Sequence, residues 1–264
     1  MRGWSLEVTL PKPAEIEALK ATLALGTEVF ISAIPKESHS HLVESAALMR
    51  QAGFEPIPHV AARNYADKAT LEDMLNRTHS EANVSRVLVI GGDRDKPAGL
   101  YTNALAIIES GLLQAHGIKE ISIGGYPDGH PRIAPDDLER ALEAKIAAAR
   151  RAGLKVHIVS QFCFDGERIV TWLRKLRTNG FTGRVRIGLA GPAKVTTLLR
   201  FAQRCGVQVS TRGLLRNVGV ALQALGRATP DDIVKKLAEA AASGAMRRSS
   251  TIMSTRWKPS TSPL

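Results

Sequence analysis

Short apolar runs alternate with amphipathic segments along most of this chain, and the alternation restricts the folds that the sequence can adopt. The runs are rich in Val, Ile or Leu and only a few residues long, which is typical of parallel strands buried on both faces. They lie at Trp4–Leu10, Glu28–Ile34, Pro56–Ala61, Arg86–Gly91, Glu120–Gly125, Val156–Ser160 and Val185–Leu189. The segments between them carry apolar residues at spacings of three and four, which predicts helices. These helices are predicted at Ala14–Leu25, His41–Ala52, Thr70–Glu81, Thr102–Ala115, Pro135–Ala152, Gly166–Asn179 and Lys194–Cys205.

The residues at the ends of the predicted helices agree with this division. Pro13, Thr70 and Pro135 suit the first turn of a helix. The glycines that suit C-terminal caps are Gly26, Gly53, Gly117, Gly153, Gly180 and Gly206. The repeating unit is therefore strand, helix, strand, as in α/β proteins.

The number of units predicts an α/β fold with a single domain, a (β/α)8 TIM-type barrel. Seven units are legible in 264 residues, and a closed eight-unit barrel takes about 250 residues. We assign residues 1–245 to the barrel and residues 246–264 to a basic C-terminal tail, which is either disordered or holds a weak last strand at Ser250–Thr255. Two further helices are predicted at Gly213–Leu225 and Pro230–Ala242. An open doubly wound sheet is the alternative, but no predicted strand leads into G-x-G-x-x-G.

The composition excludes disordered and membrane-spanning classes. Apolar residues make up 44% and charged residues 23% of the chain, so it can bury a sizeable core. No apolar run approaches the roughly 18 residues that suggest a membrane span, and the N-terminus leads into a strand rather than a signal peptide. We therefore expect a cytoplasmic protein without a membrane partner, with Cys163 and Cys205 as reduced thiols.

The net charge of +11 is concentrated in the C-terminal half of the chain. Between Gly166 and Arg216 there are eleven Lys or Arg and one acid, Glu167. A basic half favours an anionic partner, such as a nucleotide cofactor, a polycarboxylate substrate or nucleic acid, although a solvated basic face is the alternative. Aromatic residues are only 5% of the chain, too few for the stacking that nucleic-acid binding uses, so we expect no nucleic-acid partner.

Polar residues stand where the predicted strands end, and in an α/β barrel those ends carry the chemistry. Alternation points Glu7 inward, where burial would favour the protonated carboxyl of a general acid; a salt-bridged strand end is the alternative. Asp93 follows two glycines that allow a ligand to approach closely, or it caps a helix or turn. The loop Tyr126–Pro131 holds a Tyr, an Asp and a His between two prolines, which suits ligand contact. Gln161 offers an amide to a flat ring beside Phe162, or is satisfied by the backbone.

Metal and nucleophile chemistry find little support in the sequence. No H-E-x-x-H motif and no paired Cys spacing occurs, so we predict no metal site. The G-x-S-x-G elbow of a serine nucleophile is also missing. Cys163 lies between Phe162 and Phe164, and such an apolar flank favours an inert thiol.

Taken in order along the chain, these motifs resemble those of the methylenetetrahydrofolate reductase family. In that family S-F-E lies on the first strand, Pro-His ends the third, R-G-D closes the fourth, Y-P-x-x-H-P follows the fifth and T-Q-x-x-F-D ends the sixth. The matching segments here are Ser5–Glu7, Pro58–His59, Gly91–Asp93, Tyr126–Pro131 and Ser160–Asp165. The resemblance covers roughly residues 5 to 206.

The resemblance implies a hydride transfer to a folate. Nicotinamide, as NADH or NADPH, reduces bound FAD, and methylenetetrahydrofolate then takes the hydride to become 5-methyltetrahydrofolate. Glu7 is implied as the general acid that opens the five-membered ring, and the charge of Asp93 favours the cationic iminium. Gln161, Phe162 and Phe201 are implied as substrate-binding residues, with Phe201 stacking on the folate or nicotinamide.

The resemblance also implies a set of cofactor-binding residues. They are Ser32, His59, Asp93, Tyr126 and His130 around the flavin, with Asp137 and Lys145 at its phosphates. The basic half gains a role in attracting the glutamate tails of folates.

The chain departs from the family pattern at places that concern the flavin. Ser32 takes the place of a threonine that Tyr and Gly follow in the family, but Ala33 and Ile34 follow it here, and Gly91 replaces an arginine. These departures leave open a flavin-free enzyme in which nicotinamide hands its hydride directly to the folate. A non-catalytic folate-binding protein and an RNA-binding basic barrel are alternatives from other classes. The sequence leaves open the choice between NADH and NADPH and the oligomeric state, a homo-oligomer included.

Overall fold

The computed structural model describes residues 4–35, 37–191, 193–194, 227–228, 230–242 and 250–255. These residues form two compact units. The described residues within Met1–Gly124 and Ala141–His157 belong to the first unit. Those within Gly125–Arg140 and Ile158–Thr255 belong to the second.

The first unit is built on parallel strands that pair in the order of the sequence. They are β1 (Ser5–Val8), β2 (Glu28–Ile31), β3 (Glu55–Ala61), β4 (Arg86–Ile90) and β5 (Glu120–Gly125). The register pairs Glu7 with Phe30, Phe30 with Ile57 and Leu88 with Ser122. Because all the strands run in one direction, the residues that follow them lie at one edge of the sheet.

Helices follow each of these strands, and polar side chains cap three of them. The helices are α1 (Pro13–Thr22), α2 (His39–Gln51), α3 (Lys68–Ala82), α4 (Ala104–Glu109) and α5 (Leu112–Ala115); α6 (Pro135–Arg151) contributes residues to both units. Ser38, Asp67 and Asn103 each accept a hydrogen bond from a backbone N–H in the first turn of α2, α3 and α4. These caps satisfy donors that the helix itself leaves open. The predicted helix Thr102–Ala115 is wrong as a single element, because Gly111 adopts a φ of 74° and separates α4 from α5.

The strands of the first unit are buried on both faces. Val29, Phe30 and Ile31 have no exposed surface, as the continuous apolar run of β2 predicts. The helices cover the sheet with apolar stripes, such as Val43, Ala46 and Met49 of α2 and Leu71, Met74 and Leu75 of α3. Burial of this apolar area stabilises the unit.

Besides the first residues of α6, the second unit has three parallel strands and two helices among its described residues. β6 (Lys155–Ser160) contributes its last residues, β7 (Val185–Ala190) pairs with it, and β10 (Ser250–Thr255) pairs with β7. A short antiparallel pair, β8 (Ala193–Lys194) with β9 (Arg227–Ala228), lies apart from this sheet. The helices are α7 (Gly166–Thr178) and α8 (Asp231–Ala242), and they pack on each other.

Most predictions for the described elements are confirmed with shifts of a few residues. Gly26, Gly53, Gly117, Gly153 and Gly180 all have positive φ, whereas Gly206 lies outside the described residues. Lys194 belongs to β8 rather than to the predicted helix, and the rest of that helix, like the helix predicted at Gly213–Leu225, lies outside the described residues.

The α/β class with parallel strands is confirmed in both units. Closure into one eight-stranded barrel and the domain bounds 1–245 and 246–264 stay predictions. Among the described residues, no helix has both the length and the apolar character needed to cross a membrane.

Candidate active site

Glu7 is held at the end of β1 by the hydroxyl groups of two neighbouring residues. Ser32, directly after β2, donates from Oγ to Glu7 Oε1 at 2.5 Å. Thr9 in turn donates from Oγ1 to Ser32 Oγ at 3.2 Å. The backbone fixes this arrangement, because Ser32 N donates to Val8 O at 2.9 Å and so continues the pairing of β1 with β2. The structure therefore brings two predicted residues, Glu7 and Ser32, into direct contact and adds Thr9.

His59 on β3 is a buried imidazole with an unsatisfied nitrogen. Its residue surface is 6% exposed, and its Nε2 has no hydrogen-bond partner within the described part of the chain. Burial lowers the pKa of His59, while the charges of Glu7 and Asp93 act in the opposite direction. The neutral ring thus lies within electrostatic reach of both predicted catalytic carboxylates. A buried polar atom without a partner is rare in proteins, and such an atom is often satisfied by a ligand or water.

Asp93 stands in a bend after β4, where the backbone requires glycine. Gly92 has a φ of 91°, and a Cβ at that position would lie 3.1 Å from the Cβ of Ala61. Gly91, by contrast, has open space around it, and its carbonyl oxygen accepts a hydrogen bond of 2.9 Å from Arg63 N, just after β3. Asp93 is exposed and no described helix begins beside it, so it is not a helix cap.

Lys145 on α6 is a half-buried cation of the first unit without an acidic partner among the described residues. Its Nζ donates to Gly124 O at 3.4 Å. Burial lowers the pKa of Lys145 to about 8. Asp137, which was predicted beside it at the cofactor phosphates, is exposed and forms an ion pair of 2.5 Å with Arg140. Asp137 is therefore already paired, whereas Lys145 keeps a positive charge that a bound anion can neutralise.

The loop Tyr126–Pro131 of the second unit is a turn that brings two predicted rings together. Gly129 N donates to Tyr126 O at 3.1 Å, and the Tyr126 and His130 rings meet edge to face at 5.4 Å. Arg132 N donates to His130 Nδ1 at 3.2 Å, which places the proton of the neutral ring on Nε2. Partial burial and the charge of Arg132 lower the pKa of His130. The ring therefore presents an N–H donor at Nε2.

Gln161 and Phe162 follow β6 in the second unit. Gln161 N donates to Gly125 O at 2.7 Å, and Phe162 N donates to Gln161 Oε1 at 3.0 Å. The carbonyl oxygen of the amide is thus occupied, and Nε2 has no partner within the described part of the chain. Phe162 is 1% exposed and packs edge to face against Phe164 at 5.5 Å. Phe201 lies outside the described residues.

Sequence reasoning missed a polar contact between these two loops. The Cys163 thiol donates to Asp165 O at 3.3 Å and lies within electrostatic reach of the Asp128 carboxylate, and Arg168 Nη1 lies 3.4 Å from Asp128 Oδ1. Burial raises the pKa of Cys163, and the nearby Asp128 carboxylate raises it further. Burial also raises the pKa of Asp128, whereas the Cys163 thiol and the charge of Arg168 act in the opposite direction. Asp128 and Cys163 occupy the variable positions of their two motifs, so the motifs gave no signal for this contact.

The predicted residues thus form one cluster in the first unit and two smaller groups in the second. Glu7, Ser32, His59 and Asp93 belong to the first unit, with Lys145 on its last helix. Tyr126 with His130, and Gln161 with Phe162, belong to the second. The described residues contain no group of three or more His, Cys, Asp or Glu that could hold a metal ion.

The parallel strands of this α/β protein thus bring together a carboxyl, a hydroxyl and a buried imidazole. The family model for methylenetetrahydrofolate reductase matches residues 6–219. The chain belongs to the methylenetetrahydrofolate reductase family.

Two solved structures are similar to the chain at low sequence identity. The first is an uncharacterized protein from Clostridium thermocellum that binds two copies of 5-methyl-5,6,7,8-tetrahydrofolic acid, with 14% identity, a TM-score of 0.60 and coverage of 97% of this chain and 90% of that one. The second is dihydropteroate synthase from Thermus thermophilus, with 16% identity, a TM-score of 0.49 and coverage of 96% and 87%. The first likeness shows a shared fold.

Proposed function

We propose that this protein reduces 5,10-methylenetetrahydrofolate to 5-methyltetrahydrofolate with a hydride from NADH or NADPH, and that Glu7 is the general acid. The observation that carries the proposal is Glu7 held by Ser32 within electrostatic reach of His59, whose buried Nε2 has no partner in the described part of the chain. The family match over residues 6–219 supports it, and so does the methyltetrahydrofolate bound by the Clostridium thermocellum protein. We assign the reaction to the cytoplasm and to a free small-molecule folate.

Glu7 has the contacts that a proton donor needs. The five-membered ring of the substrate opens when one of its two nitrogens takes a proton, and the methylene carbon then becomes a cationic iminium that accepts the hydride. Ser32 fixes the carboxyl through Oε1, and Oε2 has no partner within the described part of the chain. Oε2 is therefore the atom from which the proton leaves. General acid catalysis of this kind contributes about 10²- to 10⁴-fold in rate.

Asp93 supplies the negative charge of the proposed mechanism. Its exposed carboxylate follows Gly92, whose left-handed backbone turns the chain at the strand end. A fixed carboxylate stabilises a positive charge that develops near it. We assign Asp93 to the iminium carbon and not to proton transfer.

Because of the family resemblance, we assign residues of the second unit to substrate binding. Gln161 keeps a free amide nitrogen that can donate to the pterin or nicotinamide. Phe162 and Phe201 complete the substrate-binding set of the proposal. The basic residues of the C-terminal half attract the carboxylates of the folate tail.

The described residues of the first unit fit FAD as a cofactor. His59 offers its buried Nε2 to the flavin, Ser32 offers the hydroxyl that also contacts Glu7, and Lys145 offers an unneutralised charge to the phosphates. Tyr126, His130 and Asp137 are assigned to FAD by resemblance. When bound, FAD supplies a carrier that takes the hydride from nicotinamide and passes it to the folate.

Direct hydride transfer without flavin is the second candidate, and two observations favour it. Gly91 stands where the family has an arginine, and its surroundings are open. Asp137 is already paired with Arg140 at the surface rather than held for a ligand. In this version Glu7 and Asp93 keep their roles.

The deciding experiment measures NADH and NADPH oxidation by the purified protein on addition of methylenetetrahydrofolate, with and without FAD, and quantifies 5-methyltetrahydrofolate. Turnover that depends on FAD supports the flavin mechanism, and turnover without FAD in flavin-free protein supports direct transfer. We expect Glu7→Gln to lose about 10²- to 10⁴-fold in rate while it still binds folate. Glu17→Gln, an exposed change on α1, is the control. Folate binding without product under either condition refutes the reductase and favours a non-catalytic folate-binding protein.

A further inference from the structure

Two hydroxyl groups form a directed chain that ends on Glu7. Thr9 donates to Ser32 at 3.2 Å, and Ser32 donates to Glu7 Oε1 at 2.5 Å. We propose that Thr9 and Ser32 form a proton relay that recharges Glu7 between turnovers. The proposal rests on the proposed role of Glu7 as general acid.

The proposed reaction requires such a supply of protons. Hydride addition and ring opening together consume one hydride and one proton per folate, and the proton comes from the Glu7 carboxyl. Glu7 is then a carboxylate and must regain a proton before the next substrate reacts. In the relay, the Ser32 proton moves to Glu7 Oε1, the Thr9 proton moves to Ser32, and a hydronium ion of the bulk solvent gives a proton to Thr9 and leaves water. Atoms and charge balance, because each hydroxyl gives one proton and receives one.

The orientation of the hydrogen bonds suits this direction of transfer. A hydroxyl donates one hydrogen and can accept two, so each member of the chain can pass a proton on while it receives another. Thr9 is half-buried, and its oxygen has no other partner within the described part of the chain. It can therefore meet solvent at one end of the relay. A half-turn of the Glu7 carboxyl about its Cγ–Cδ bond moves the new proton to the Oε2 side.

The residue after Thr9 has an unusual backbone conformation, which holds Thr9 in its position in the relay. Leu10 has a φ of 46°, in the left-handed region that a leucine seldom adopts. The next residues, Pro11 and Lys12, lead directly into α1. A residue in this region persists only where its surroundings hold it, and here it closes the turn that carries Thr9.

The test compares the first turnover with the following ones in rapid-mixing experiments. Thr9→Val removes the hydroxyl but keeps the shape of the side chain and leaves the Ser32 to Glu7 hydrogen bond in place. We expect an unchanged rate for the first turnover, because that turnover does not require the relay, and a steady-state rate lower by on the order of tenfold, the equivalent of one lost hydrogen bond. Thr9→Ser should restore the steady-state rate. Thr22→Val, which removes an exposed hydroxyl on α1, is the matched control.

The outcomes separate the relay from the proposed function. If Thr9→Val slows the first turnover and the steady state equally, Thr9 acts only on the structure of the site and the relay is refuted. An unchanged steady state in Thr9→Val refutes it as well. If instead the unmodified protein forms no product, or Glu7→Gln is fully active, the proposed function fails and the relay fails with it.

Discussion

A network of charges at the beginning of the strands makes a sharp prediction about stability. Glu55 accepts two hydrogen bonds from Arg50, at 2.6 and 2.9 Å, and lies 3.3 Å from Arg86 Nη2. Arg86 also pairs with Glu28 at the beginning of β2, across β3. The Glu55 side chain is only 19% exposed, so water replaces these partners poorly. We predict that Glu55→Gln destabilises the first unit and leaves its fold intact.

The magnitude follows from the burial of the pair. Exposed ion pairs contribute about 0 to 1 kcal/mol, whereas breaking a fully buried one costs about 3 to 5 kcal/mol. Glu55 and Arg50 lie between these limits, so we expect a loss of about 2 kcal/mol in the free energy of unfolding at pH 7.

The stability deficit of Glu55→Gln should shrink as the pH falls. Burial alone would raise the pKa of Glu55, but the hydrogen bond from Arg50 and the charges of Arg86 and Arg50 outweigh it and hold the pKa below its ordinary value. A carboxyl with a depressed pKa contributes stability above its unfolded pKa, near 4.3, and loses it as the pH falls through its folded pKa. The difference between Glu55→Gln and the unmodified protein should therefore shrink below about pH 4.

Thermal and urea unfolding, followed by circular dichroism at pH 7 and pH 3, test this prediction. A loss of about 2 kcal/mol corresponds to a melting temperature lower by about 4 to 8 °C at this chain length. Glu17→Gln breaks an exposed pair with Lys20 and should change stability by less than about 0.5 kcal/mol. A Glu55→Gln protein as stable as the unmodified one at pH 7, or one whose deficit is undiminished at pH 3, would refute the reasoning.

Two further predictions concern single positions. Gly92→Ala should lower the free energy of unfolding by about 1 to 2 kcal/mol, because φ is 91° and the new methyl group meets Ala61. Gly91→Ala lies in open space and should be nearly neutral in the same melting assay. Equal effects of the two changes would contradict the backbone argument. In a Cys205→Ser background, Cys163 should react with a maleimide far more slowly in the native protein than in urea, because burial raises its pKa; labelling at the rate of a free thiol would contradict this.

The strands were predictable because burial on both faces leaves a continuous apolar signature. Val29, Phe30 and Ile31 illustrate this, since no other element of a small α/β protein needs so short and uniform a run. The break between α4 and α5 was less evident, because apolar spacing continues across it. Gly111 was the available signal, and Ser110 reinforces the break by accepting a hydrogen bond from Leu112 N.

The site was predictable residue by residue but not in its contacts. Glu7 and Ser32 are 25 positions apart, and only the register of β1 with β2 brings them together. The proposed role of Thr9 could not be predicted from the sequence pattern, because it depends on the direction of one hydroxyl group beyond the end of β1. A periodicity reports which face of an element is buried, and it carries no information about how a loop turns beyond the element.

The last prediction concerns Lys145 and helps to decide whether the hydride passes through FAD or directly from nicotinamide to the folate. Its ammonium group has been removed from water in exchange for one carbonyl contact of 3.4 Å, and the resulting pKa of about 8 lies below the value of about 10.4 for an exposed lysine. Between these values the unfolded chain binds more protons than the folded one, so stability should rise as the pH increases from about 8 to 10. Two pKa units correspond to about 3 kcal/mol at most.

Lys145→Met should therefore be more stable than the unmodified protein at pH 7 and should lose the rise in stability above pH 8. Lys119→Met, at an exposed lysine before β5, should change neither property. If the charge awaits FAD phosphates, Lys145→Met should also bind FAD on the order of tenfold more weakly in a flavin fluorescence titration, and the affinity of the unmodified protein should fall between pH 7 and pH 9 as the lysine loses its proton. If neither protein binds FAD while the stability difference persists, the buried charge has another purpose, and direct hydride transfer becomes the better account of the reaction. A Lys145→Met protein without any gain in stability would instead show that the ammonium group stays hydrated in the folded protein.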